Sequence, residues 1–127
     1  MKKPDIRKPI PNIDKVIEEW KDYLIENDWD LISLCQKLPE PFMEKWKDKL
    51  DWNYICRFQT ISESFIEKWK DRIDWNSLSV NKNINWNDFS EEFFDKYNQY
   101  FDLEEINKRR PFSKGFCLKY NLDWRWS

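Results

Sequence analysis

An all-α chain of stacked short helical hairpins, in one compact solenoid-like domain, is the fold the sequence predicts. Three observations predict it. The first is a repeat. Residues 38–52 (LPEPFMEKWKDKLDW) return without a gap as residues 61–75 (ISESFIEKWKDRIDW), and again as residues 89–103 (FSEEFFDKYNQYFDL). The offsets are 23 and 28 positions, so five extra residues fall in the loop near Asn81–Asn87. Weaker copies stand at residues 16–24 (VIEEWKDYL) and 112–124 (FSKGFCLKYNLDW), making five units of about 23 residues, and self-similarity at such a period means stacked supersecondary units. The second observation is the spacing inside a unit. Phe65, Ile66, Trp69 and Ile73 stand at i, i+1, i+4 and i+8, the apolar stripe of an α-helix. The third is composition: one Gly, nine Trp, nine Phe and five Tyr, with no alternating strand pattern. So few glycines exclude tight hairpins and Gly-rich phosphate loops.

Taken in order, residues 1–12 hold four cations, one anion and three prolines. They form a basic, extended arm, ordered where it packs on the first unit or on a partner. The helical domain covers residues 13–127, an array over 13–103 followed by a basic, degenerate capping segment over 104–127. In each unit Asp-Trp opens a short helix, with Asp51, Asp74 and Asp102 placed to cap it. A tight turn follows, then a longer helix. In that helix Ser62-Glu63 or Ser90-Glu91-Glu92 supplies the N-cap and first-turn acid, and Pro39 and Pro41 suit the same first turn. No single pair can bury its aromatics, so stacking builds the core. Trp29, Phe42, Trp46, Trp52, Phe65, Trp69, Trp75, Phe93, Tyr97 and Phe116 are the predicted core. Cys35, Cys56 and Cys117 fall on apolar helix positions and are expected as small buried hydrophobes.

Charge is uneven. Residues 1–10 and 104–127 each carry +3, and residues 11–103 carry −8, giving the net −2. The chain has no His. That removes the commonest general base, His-dependent Ser and Cys nucleophiles, and His-based metal sites. No catalytic residue, cofactor or metal is predicted, and the protein is read as not an enzyme. No apolar run is long enough to span a bilayer, and the first residues lack the apolar segment of a secretory leader. A cytoplasmic protein of a bacterium or infected host cell, without a small-molecule substrate, is the expectation.

What remains is binding. An acidic helical body can steer to a basic partner or occupy a nucleic-acid handler's basic channel. Glu63, Glu67, Asp71, Asp88, Glu91, Glu92 and Asp95 are the residues for that. The basic segment with Lys108, Arg109, Arg110, Lys114, Lys119 and Arg125 is the alternative, an RNA- or DNA-contacting surface of cations beside aromatics. A protein partner acted on by an inhibitor or adaptor is the leading expectation.

Asp51-Trp52, Ile55, Ile61-Ser62-Glu63, Phe65-Ile66, Lys68-Trp69 and Asp74-Trp75 together form the phrase DWxxI…(I/L)SExFIxKW…DW. It resembles a short tryptophan-bearing repeat of proteins from large DNA viruses, some phages and low-GC bacteria, across most of the chain. The resemblance implies an interaction scaffold and supplies no functional residues. With the small size and empty catalytic inventory, it fits a virus- or phage-encoded inhibitor of a host defence nuclease, such as an anti-CRISPR acting on a CRISPR effector.

Overall fold

The computed structural model describes residues 2–124; Met1 and residues 125–127, including the candidate contact Arg125, lie outside them. The described residues contain no strand. Their helices are α1 (Ile13–Trp20), α2 (Glu26–Cys35), α3 (Glu40–Lys45), α4 (Trp52–Phe58), α5 (Glu63–Lys68), α6 (Trp75–Ser79), α7 (Glu91–Lys96), α8 (Leu103–Arg109) and α9 (Lys114–Tyr120). Such short helices are unstable alone and depend on packing. Caps define their starts. The carboxylates of Asp51, Asp74 and Asp102 accept the amides of Tyr54, Ser77 and Glu105 at 3.1, 3.3 and 3.2 Å. The hydroxyls of Ser62, Ser90 and Ser113 accept those of Phe65, Phe93 and Phe116 at 3.2, 3.2 and 3.3 Å. Each cap contributes about 1 kcal/mol.

Several expectations are corrected. Asp28 does not stand ahead of its helix: the insertion at residues 25–27 moves it into the first turn of α2, where its Oδ2 accepts the Ile25 amide at 3.0 Å. The second helix is the longer one only in the unit that opens at Asp74, where α7 has six residues to five in α6. α3, α5 and α7 stop at six residues, because Trp46, Trp69 and Tyr97 leave helical geometry at φ near −105 to −109° and ψ 22 to 25°. At each break the ring turns onto the Asp-Trp ring of the unit before: Trp29–Trp46 at 5.2 Å, Trp52–Trp69 at 6.1 Å and Trp75–Tyr97 at 5.2 Å. Tertiary contact overrides the helical stripe. Trp46, Trp52, Trp69 and Trp75 are consequently half-buried against the core, whereas Trp29, Phe42, Phe65, Phe93, Tyr97 and Phe116 are inside it. Cys35 is exposed at the last residue of α2; Cys56 and Cys117 are buried. Burial pushes the Cys56 thiol up to about 12, so it behaves as a packed hydrophobe.

The five-residue insertion is not an idle loop. It sends Ile84 and Trp86 into the core, Trp86 at 2 % exposure. The arm is likewise tied down: Ile6 is buried, and the Gln36 side-chain amide donates to the Ile6 and Lys8 carbonyls at 2.8 and 2.6 Å and accepts the Ile10 amide at 3.0 Å.

Equivalent residues join successive units. α2 packs on α4, α4 on α6, and α6 on α8. The buried Gln59 amide repeats the role of Gln36, donating to the Ser33 and Gln36 carbonyls at 3.0 and 2.6 Å and accepting the Leu38 amide at 3.0 Å. Asn81 donates to the Cys56 and Gln59 carbonyls, both at 2.8 Å. Ser33 Oγ, Cys56 Sγ and Ser79 Oγ accept the amides of the next capping aspartates, Asp51, Asp74 and Asp102, at 2.9, 3.4 and 3.0 Å. Glu40, Glu63 and Glu91 accept the amides of the next capping serines, Ser62, Ser90 and Ser113, at 2.8, 2.6 and 2.6 Å.

On the surface, each repeat lysine pairs with the preceding unit's acid. Lys45–Glu18 is 2.9 Å, Lys68–Glu44 3.1 Å, Lys96–Glu67 3.6 Å and Lys119–Asp95 2.8 Å. The Lys21 and Lys45 ammoniums hold Glu18 at about 2. The Lys68, Arg72 and Lys119 side chains lower Glu44, Asp48 and Asp95 below the usual carboxylate range. Folded values below the unfolded ones stabilise the native state above the unfolded carboxylate range, and that contribution is lost as pH falls through the folded values. With no histidine to titrate, the thermal midpoint should stay level from about pH 8 to 5 and fall from about pH 4.5 toward 2. Added salt should shrink the acid step, because the pairs are exposed. A midpoint that slides between neutrality and about pH 6 in a thermal scan series would contradict this origin.

Candidate interaction surface

The five-residue insertion within residues 81–87 changes the junction between the third and fourth units. Asn83 is held against the preceding unit, its Nδ2 donating to the Phe58 carbonyl at 2.7 Å and its carbonyl accepting the Thr60 hydroxyl at 3.2 Å. Beside the inserted segment lies a groove of about 620 Å³, lined by residues of α5 and by Ile84, Asn85, Asp88 and Phe89. Its apolar lining is Ile61, Ile84 and Phe89, and its charged lining is Glu40, Glu63, Glu67 and Asp88. No cation lines it. Glu40 spends both oxygens on Ser62, at 2.8 Å to the amide and 3.1 Å to the hydroxyl. Glu63 spends one on Ser90. Glu67 meets Lys96 only at 3.6 Å, and Asp88, exposed at the end of a 3-10 turn, has no side-chain partner among the described residues. The groove thus offers net negative charge, offset in part by Lys96 at Glu67, over an apolar floor, which favours ammonium or guanidinium groups carried on an apolar stem.

The sequence-predicted residues divide accordingly. Glu63 and Glu67 come together in the groove, with Asp88. Glu91 does not: it clasps Ser113, and its role is to join α7 to α9. Glu92 and Asp95 border a shallower hollow beside α9 with Gly115, Phe116 and Lys119, and Asp95 there accepts from Lys119 and the Tyr120 hydroxyl. Asp71 lies apart, beside Trp75, Tyr97 and Tyr100.

The basic segment is not a free patch. Arg109 Nη2 donates to Glu105 Oε1 at 2.9 Å, and Lys108 stands 3.6 Å from the same carboxylate. Arg110 lies largely buried, its guanidinium 4.7 Å from the centre of the Phe112 ring and 5.7 Å from that of Phe94, with Glu91 at 3.7 Å. Lys114 sits 4.4 Å from the centre of the Trp124 ring. Lys108, with its side chain 74 % exposed, is far more open to solvent than Arg109 and Arg110, at 24 % and 13 %. Phosphate contact needs accessible charge, so the structure withdraws Arg109 and Arg110 from that role.

The sequence reading missed Glu40, Thr60, Ile84 and Phe89 as groove residues. The signal was the five-residue insertion itself, which separates two strong copies of the repeat where acids flank it on both sides. No family model, curated protein or solved structure matches this chain.

Proposed function

We propose that this chain is a non-catalytic protein-binding module, an inhibitor or adaptor, built as a short solenoid-like array whose acidic groove receives a basic partner. The observation that carries the reading is the groove at the third junction, where Glu63, Glu67 and Asp88 stand over Ile61, Ile84 and Phe89 with no lining cation. Matched in charge, such a surface gains association rate and discriminates against acidic partners. Repeat arrays gain extended binding surfaces from the way their units stack. A setting that suits it is inhibition of a cytoplasmic nucleic-acid-handling protein, such as a CRISPR effector, whose basic channel an acidic helical body would fill in competition with nucleic acid. Among the described residues no helix is long and apolar enough to cross a membrane.

The experiment is a parallel pull-down from host lysate, with and without nuclease, using the native chain and the double variant Glu67→Lys, Asp88→Lys. Neither side chain caps a helix, so the fold is expected to survive, which circular dichroism checks. A protein retained by the native chain in both lysate halves and lost from the variant supports the reading. Retention that depends on intact nucleic acid, or that the variant leaves unchanged, defeats it.

A further inference from the structure

The repeat allows one junction to be compared with the next inside the same molecule. At the second junction Arg72 is a docked cation. Its guanidinium carbon lies 5.9 Å from the Trp52 ring centre and 6.0 Å from that of Trp69. Its Nη1 donates to the Lys47 carbonyl at 3.0 Å and its Nη2 to Asp48 Oδ1 at 2.7 Å. Two rings, a carbonyl and a carboxylate therefore hold one guanidinium, the combination that planar fork suits.

One unit on, Lys70, Asp71 and Trp75 stand where Lys47, Asp48 and Trp52 stood, and Tyr97 replaces Trp69. The cation is gone: Tyr100 occupies the position of Arg72. Tyr100 is 55 % exposed and stacks on Trp75 at 5.2 Å and 28°, while Tyr97 stacks on Trp75 at 5.2 Å and 26°. These rings, with Lys70 and Asp71, line a pocket of about 290 Å³. Asp48 is paired; among the described residues Asp71 has neither an ion pair nor a hydrogen bond. The indole N–H of Trp52 donates to the Lys47 carbonyl at 2.8 Å, whereas that of Trp75 has no partner among the described residues. The Lys70 carbonyl accepts the Ile73 amide at 3.3 Å and has a second lone pair free.

We infer that the Trp75–Tyr97–Tyr100 pocket, with Asp71 at its edge, binds the guanidinium of an arginine side chain supplied by a partner polypeptide, where the second junction uses Arg72 of the chain itself. Charge complementarity commits the pocket to a cation: it presents the exposed Tyr100 ring beside Trp75, a carboxylate unpaired among the described residues, and a carbonyl. The ammonium of Lys70 does not argue against this, because Lys47 stands in the same relation to Arg72 and lies 5.8 Å from the Trp69 ring centre without displacing it. The inference rests on the protein-binding reading for its biological sense. Its chemistry is tested without any partner, so a failed probe leaves the acidic groove standing and a failed pull-down leaves the pocket standing.

The probe is N-acetyl-arginine N-methylamide, titrated into the full chain labelled with 15N at tryptophan and followed through the indole N–H resonances. The Trp75 resonance should shift saturably while Trp86, sealed in the core, does not. The neutral isostere N-acetyl-citrulline N-methylamide should bind at least about tenfold more weakly, as should the lysine analogue, which lacks the planar fork. Asp71→Asn should weaken the arginine probe by a similar factor. Tyr100→Arg, at a half-exposed position the fold does not depend on, should fill the pocket from within, abolish the shift and raise the thermal midpoint. Absence of a saturable Trp75 shift, or equal response to citrulline or lysine, overturns the assignment. So does a native response to the probe in Tyr100→Arg.

Discussion

Replacing Trp86 with alanine is expected to destabilise the protein by about 3–5 kcal/mol, the range for truncating a buried large aromatic. Trp86 is sealed, and its ring meets Phe89 at 4.9 Å, Phe94 at 5.9 Å and Phe101 at 5.8 Å. Its indole N–H also donates to the Asn81 carbonyl at 3.2 Å. Truncation removes the contacts, leaves a void too large for the neighbouring rings to close, and orphans that carbonyl. Urea denaturation should show the midpoint falling with an unchanged slope. Trp86 also packs under Phe89, which lines the acidic groove, so the variant should weaken partner binding under conditions where it remains folded. A loss below about 1 kcal/mol would mean the insertion is peripheral to the core.

The second large effect is expected at Gln59. Substitution by methionine keeps length and volume but removes both donors and the acceptor. The Ser33 and Gln36 carbonyls and the Leu38 amide, all satisfied by this one side chain, would then lie buried without partners. At about 1–3 kcal/mol for each unsatisfied group, the loss should reach about 3 kcal/mol or more, although the substitute is more apolar. Equilibrium unfolding decides it. A neutral or stabilising result would show that the amide is dispensable and that apolar packing alone joins the units.

These two residues mark where reading the sequence stopped. The Asp and Ser caps were legible because a cap needs only a short polar side chain beside an apolar stripe, and both features are local. The aromatic stripe was legible for Phe42, Phe65 and Phe93, which the core takes whole. It misled at Trp46, Trp69 and Tyr97, where a ring stacks on the previous unit and the helix ends instead of continuing; a stripe says which residues are apolar but not where the backbone turns. Gln36, Gln59 and Asn81 read as ordinary polar residues, yet they are buried because each finds its partners in another unit, more than 20 residues away. The engagement of Arg109 and Arg110 within the fold was hidden for a related reason. Lys108, Arg109 and Arg110 formed a conspicuous run, but a run in sequence says nothing of the acids and rings that fold beside it. Glu63 and Glu67 were found by charge alone, and only the insertion told which junction they would face.

Most of the bonds that join the units run from a donor in the later unit to an acceptor in the earlier one, and that direction governs what the molecule can assemble into. Head-to-tail association of identical subunits builds an open fibre unless something stops it, and an array whose units dock on one another is exposed to that fate. Here the leading face is occupied: the arm supplies to Gln36 the carbonyls that a preceding unit would. The trailing face is altered: Lys114 stands where Glu40, Glu63 and Glu91 clasp the next serine, and exposed Leu118 stands where Glu44, Glu67 and Asp95 meet the next lysine. A second molecule arriving at α9 would bring its capping serine to an ammonium and its lysine to a leucine. The same grammar that lets one hairpin recruit another within the chain is missing its two clasping acids at α9, so a second copy docking there would find neither.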